Sequence, residues 1–176
     1  MKKLFLLLPV FFPTQLLFAQ TPARTDLTSE ASFKEYFTKH ADSLNNIEGV
    51  WQVSSKQYYY KQDTLYDVVE TKKAARVAII MIDGKFQAYI ITGESYNVEF
   101  TKTDVEGVYF YRNYFKETNE YSKTHAVISK KGEMKYEYEI PENLTRIRLA
   151  DMYEEGIVVK NEVQWVKVFP AEGKKK

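Results

Sequence analysis

The stretch "EMKYEYEI", residues 133–140, alternates without a fault. Met134, Tyr136, Tyr138 and Ile140 are apolar or aromatic, and Glu133, Lys135, Glu137 and Glu139 are charged. Successive side chains of a strand point to opposite faces, so this period of two demands a sheet with one packed face and one wet face. The same demand recurs along the chain. "RVAIIMI" (76–82) and "FQAYIIT" (86–92) flank Asp83-Gly84-Lys85, and Asp-Gly between apolar runs is a strong hairpin signal. "DVEG" at 104–107 turns the chain before "VYFYRNYF", and "KKG" at 130–132 joins "THAVIS" to the 133–140 strand. Pro141 to Asn143 interrupt, "LTRIRLA" reads as a resumed strand, and "EVQWVKVF" closes before Pro170.

Eight or nine strands follow from segments at about 50–60, 66–73, 75–82, 86–92, 96–103, 107–115, 122–129, 133–140, 144–150 and 161–169, some of which merge. No helical apolar pattern separates them, so parallel crossover units are excluded and the strands form an antiparallel meander. Such a meander must hide its edges, either by closing into a barrel or by folding into a sandwich. Only one segment changes period. Phe33, Tyr36, Phe37, His40, Ala41 and Leu44 recur at helical spacing, with Lys34, Glu35, Lys39 and Asp42 on the other face. One amphipathic helix over about 30–44 is predicted, lying across one end of the sheet. Ser32 with Glu35 forms a possible capping box, with Thr28 and Ser29 as alternative caps.

The first residues call for separate treatment. Lys2 and Lys3 precede a largely apolar run to Phe18, and Ala19 supplies a small residue, which is the plan of a secretory signal peptide over 1–19. Pro9 and Pro13 interrupt a run already short for a membrane span of about 20 residues. Cleavage would leave Gln20 as the first residue, a polar leader over 20–29, one helix-plus-barrel domain over 30–170 and a basic tail over 171–176. The expected location is therefore outside the cytoplasm, periplasmic or extracellular. The chain has no cysteine, which removes a lipid-anchored start, disulfides and thiolate chemistry. The core must hold the fold by itself. Without Lys2 and Lys3 the balance is 23 basic against 24 acidic residues, interspersed, so no field for nucleic acid or an anionic surface exists. An outer-membrane barrel would need an outward apolar band, whereas "SSKQYYYKQD" and "LTRIRLAD" carry charge on both faces.

Glycine and tryptophan mark the entry to the first strand, in "NNIEGVWQVSS" (45–55). A short helix, then Gly49-Val50-Trp51, then a meander resembles the lipocalin-like (calycin) barrels. The resemblance implies that the tryptophan closes the barrel bottom and that the glycine admits a close approach of the chain. Both implications agree with the bulk of an indole and with the missing Cβ of glycine. The family's Thr-Asp-Tyr turn has a partial echo in Thr103-Asp104-Val105, and its late arginine over the tryptophan would be Arg146 or Arg148.

Chemistry-bearing residues are few. His40 and His125 are the two histidines, without zinc spacing, so neither metal nor other cofactor is expected. "TGES" at 92–95 lacks a nucleophile elbow, and Glu137 with Glu139 lies on the wet face of a strand. No enzyme is implied. Tyrosine is abundant, fourteen against eleven phenylalanines and two tryptophans. "YYY" (58–60) and "YFYRNYF" (109–115) fit half-buried sheet surfaces or a ligand-binding lumen. Alternation proposes Trp51, Val53, Ile90, Phe110, Tyr136 and Tyr138 as lumen residues. The expected function is an exported, soluble, lipocalin-like binding protein for a small apolar or amphipathic ligand. The alternative is an envelope interaction protein with a filled barrel that binds protein or glycan.

Overall fold

The computed structural model describes residues 26–170. The signal-peptide reading, the first part of the leader and the basic tail lie outside the described residues. Eight antiparallel strands close into one barrel in sequence order: β1 (Gly49–Lys61), β2 (Thr64–Ile82), β3 (Lys85–Ile90), β4 (Ser95–Lys102), β5 (Val108–Phe115), β6 (Glu120–Ile128), β7 (Glu133–Glu139) and β8 (Ile157–Phe169). The barrel, not the sandwich, is how the meander removes its edges, because β8 pairs with β1 along the full length of both.

The hairpin signals hold. Asp83 and Gly84 both take positive φ (49° and 78°), the geometry that lets a two-residue turn match strand twist. The segments at 66–73 and 75–82 are one bent strand, with Lys73 at φ 51° marking the irregularity. β3 ends at Ile90 opposite Val77, so residues 64–75 of β2 extend past their neighbour with one ladder only. This free edge carries Asp67, Glu70, Lys72 and Lys73, and Asp67 Oδ1 accepts from its own strand's Val68 N at 2.8 Å. Charges and a side-chain cap on an open edge discourage pairing with foreign strands.

α1 (Glu30–Lys39) is shorter than the periodicity suggested. Its N-cap is Ser29, with Ser32 in the reciprocal position: Ser32 N donates to Ser29 Oγ at 3.2 Å and Ser29 N to Ser32 Oγ at 3.1 Å. Glu35 takes no part. Nor does the helix cross a barrel end. Phe33 and Phe37 pack on the outer wall against Val50, Ala78, Ile80 and Tyr89, joined by Leu27, and Arg76 pairs with Glu30 at 2.9 Å. That placement explains why "RVAIIMI" is apolar without alternation. Val77 and Ile79 face the interior while Ala78 and Ile80 lie under the helix, so both faces are dry.

One strand reading is corrected. "LTRIRLA" is not a strand but α2 (Glu142–Arg148), followed by α3 (Ala150–Glu154). Pro141 supplies the entry with φ −54°, Glu142 sits at the positive helix end, and Arg146 and Arg148 sit at the negative one. In so short a run the apolar spacing suits either period, and these end charges decide it. No helix among the described residues is long and apolar enough to cross a membrane.

Candidate functional site

The barrel interior divides into a packed floor and an open cup. The floor starts with the turn at 45–48. Glu48 is buried, and its carboxylate accepts from Asn45 N and Nδ2, each at 2.9 Å, and from Met81 N at 3.2 Å. Three N–H donors compensate the burial of that charge. Ile47 is fully buried, and its carbonyl accepts from Trp51 Nε1 at 2.8 Å. The Trp51 ring meets Trp165 edge-on at 6.5 Å. Trp51 therefore plugs the floor. The cation above its ring is neither Arg146 nor Arg148, which lie on α2, but Lys167, 5.0 Å from the ring centroid and donating to the Asn46 carbonyl. Thr103, by contrast, does cap the β4–β5 turn, its hydroxyl donating to the Val108 carbonyl at 2.8 Å.

Above Trp165 the cavity opens to about 710 Å³. Its base is aromatic. Tyr136 and Tyr111 lie 4.2 Å apart at 30°, Trp165 packs edge-on to Tyr96 and Phe100 at 5.8 Å, and Trp165 Nε1 donates to the Tyr136 hydroxyl at 2.9 Å. Higher in the wall, Asn161 Nδ2 donates to the Tyr138 hydroxyl at 3.0 Å, and Asn113 is a second hydrogen-bonding neighbour of that hydroxyl. Ser55 and Gln57 of β1 join the same face. α2 leans over the mouth with Leu144, Thr145 and Arg148, and Arg148 pairs with Glu117 at the rim. The cup is wet-sided and aromatic-bottomed.

Of the six residues read from the sequence, Val53, Ile90, Tyr136 and Tyr138 line this cup. Trp51 lies beneath it in the floor. Phe110 is on the opposite face of the barrel wall, its ring 5.8 Å from that of His125, while its neighbours Tyr109 and Tyr111 point inward. Aromatics at both parities of "VYFYRNYF" leave the inward set undecided by alternation. The lining residues missed are polar. Asn161 keeps step with Ile157, Val159, Val163 and Trp165, and Asn113 with Tyr109 and Tyr111. A polar residue in phase with an apolar inward row was the available signal.

Burial moves the interior phenols. Tyr111 and Tyr136 are held well above the ordinary tyrosine value of 10.0, first by desolvation and then by their tyrosine neighbours. Tyr109, whose hydroxyl donates to Asn46 Oδ1, is pushed up to about 12 by burial and secondarily by the Glu48 charge. A phenol with a raised folded pKa contributes stability that is complete below pH 10, the unfolded value, and is lost as pH climbs through 10 towards 12. The expected result is unfolding in that window, with tyrosinate absorbance rising cooperatively with the loss of the barrel's circular dichroism. Smooth titration of all phenols near pH 10 with the fold intact would contradict the buried assignment.

His40 donates from Nδ1 to the Tyr36 carbonyl at 2.8 Å, and His125 packs outside on Phe110, so each has a local structural partner. Comparison with known protein families, with curated proteins and with solved structures finds no match.

Proposed function

We propose that this chain is an exported, lipocalin-like, non-enzymatic protein that binds a small amphipathic ligand in the upper half of its barrel. The single observation that carries the reading is the cup of about 710 Å³ above a fully packed floor. Its size falls inside the range of about 300–1,000 Å³ typical of small-molecule sites, and its aromatic base with convergent amides is the usual division between affinity and orientation. Gly49, Trp51 and Lys167 at the floor support the family likeness, with lysine in the arginine's place. The filled-barrel alternative loses ground on the same cavity. Its other premise, a bare aromatic surface, also weakens. Tyr58 donates to Glu162 at 2.8 Å, Tyr60 lies under Lys160, Tyr59, Tyr109 and Tyr111 are buried, and Tyr114 donates to Asn119 at 3.1 Å.

The test is an NMR titration of the exported chain, its mass checked for a start at Gln20, with naphthol and dodecanol as amphipathic probes. Shifts should concentrate on Val53, Ile90, Tyr138 and Val163. Ala74→Trp, at an exposed position on the mouth, should weaken binding by at least about tenfold by occupying the entrance. Shifts confined to the outer wall, or an Ala74→Trp chain that binds as the parent does, would remove the cup as the site.

A further inference from the structure

Asn161 is out of character for its position. It sits on the inward row of β8 between Val159 and Val163, 7 % exposed, and lines the cup. Its Nδ2 is used on Tyr138, but its Oδ1 is buried with no hydrogen-bond partner. A buried amide oxygen left unpaired has given up its hydrogen bond to water with nothing in return. A leucine would fit the apolar row, so the amide is there for its hydrogen bonds, of which only the one to Tyr138 is made within the chain. Of the five buried side-chain atoms left without a partner among the described residues, Oδ1 of Asn161 is the one whose residue lines the cup, where a ligand can supply the donor.

The charges on the lining narrow the partner further. They are Lys116, Glu117 and Arg148, all at the rim, and Arg148 and Glu117 neutralise each other. The charge that acts on Tyr138, the partner of Asn161, is that of Arg148, which Glu117 already occupies, so no unpaired charge is placed at the depth of Asn161 to receive a counter-charge. An ionised headgroup carried to that depth would be desolvated without compensation, whereas a neutral donor would find an acceptor. Ring faces are available beside it. Tyr138 and Tyr96 are only partly buried and line the cup, so aromatic surface is open along its wall, while Tyr111 and Tyr136 pack on each other beneath. The amide's last torsion is broad, so Oδ1 can turn towards an incoming donor as Nδ2 moves off Tyr138, whose hydroxyl keeps its hydrogen bond with Asn113.

We propose that the cup takes a neutral, ring-bearing ligand whose hydroxyl or amide N–H donates to Asn161 Oδ1 while its ring lies against Tyr138. This rests on the cup being the binding site. It adds which chemistry that site selects.

Three probes of one shape separate the possibilities: naphthol (neutral donor), its methyl ether (no donor) and naphthoate (anion). Dissociation constants come from calorimetry, and NMR shifts locate each probe. The wild-type chain should bind naphthol at least about tenfold more tightly than the ether, the ratio that one hydrogen bond of about 1.4 kcal/mol supplies. It should also prefer naphthol to naphthoate. In Asn161→Leu the preference for naphthol over the ether should fall to near unity. Equal binding of naphthol and ether in the wild-type cup overturns the assignment of Asn161 and leaves the cup as a site. So does a preference for naphthoate. Failure of all three to shift any cup residue overturns both this inference and the reading beneath it. A leucine variant that keeps the preference overturns the assignment of Asn161, and if that variant does not fold, the Asn161 side-chain amide resonances decide it, moving with naphthol and not with the ether.

Discussion

Trp165→Ala is expected to lower the free energy of unfolding by about 3–5 kcal/mol, with Trp51→Ala in the same range. Both indoles are fully buried. They differ in what else they support. Trp51 is held at the floor by its bond to Ile47 and by Lys167, whereas Trp165 stands in the middle of the interior, touching Trp51, Tyr96, Phe100 and Tyr136. Each removal strips a buried acceptor of its indole donor, the Ile47 carbonyl or the Tyr136 hydroxyl, so the denser ring packing around Trp165 makes Trp165→Ala the costlier of the two. No disulfide limits the unfolded state, and a loss of this size is a large part of a typical stability of about 5–15 kcal/mol. Urea denaturation of the two variants beside the parent measures it. A value within about 1 kcal/mol of the parent for either would show that its indole is not core, since surface changes fall there.

Gly49→Ala should be nearly as damaging despite adding one carbon. Gly49 has φ +145°, and a Cβ there would lie 2.4 Å from the Phe169 carbonyl oxygen and 3.3 Å from its carbon. Both obstacles are backbone, so neither can turn aside. The backbone conformation alone costs an L-residue about 1–3 kcal/mol, and the forced separation of β8 from β1 adds about 1–3 kcal/mol more. Gly84→Ala provides the control. Its φ of +78° carries the conformational penalty, but nothing lies within 4 Å of the added carbon. It should cost about 1 kcal/mol. Amide exchange in the Gly49→Ala chain should rise at the end of β8, where the seam opens. Equal losses at the two glycines would mean that the close approach of Phe169 contributes nothing.

Much of this architecture was legible beforehand, and for local reasons. "EMKYEYEI" could only be a strand with one wet face, and β7 places Met134 and Tyr136 inside. Asp83-Gly84 could only turn tightly, because few other pairs tolerate positive φ at both positions. Gly49 and Trp51 signalled a close backbone approach beside a buried ring, and both are found. The errors arose where one local pattern suited two outcomes. "LTRIRLA" is short enough for either period, and Phe110 has aromatic neighbours at both parities. Lys167 went unnoticed as the partner of Trp51 because the two are paired across the barrel seam, more than a hundred residues apart in the chain.

By itself the amino-acid sequence determined the barrel strands, their turns and α1, though not α2 and α3. The former rest on side-chain period and on backbone preferences that act over a few residues. It determined, too, which residue types would be absent from any site, cysteine first among them. Tertiary structure alone decided that the meander closes, because closure depends on β1 meeting β8 in register across the 95 residues (62–156) between them. It also decided that α1 covers a wall instead of an end, and that α2 leans over the mouth. The cup itself belongs to the same category. A cavity is the volume that strands of unequal length leave between them, and no single stretch encodes it. Asn161 shows the boundary between the two. Its phase on β8 was written in the sequence, but that its oxygen would find no partner depended on every other strand that surrounds it.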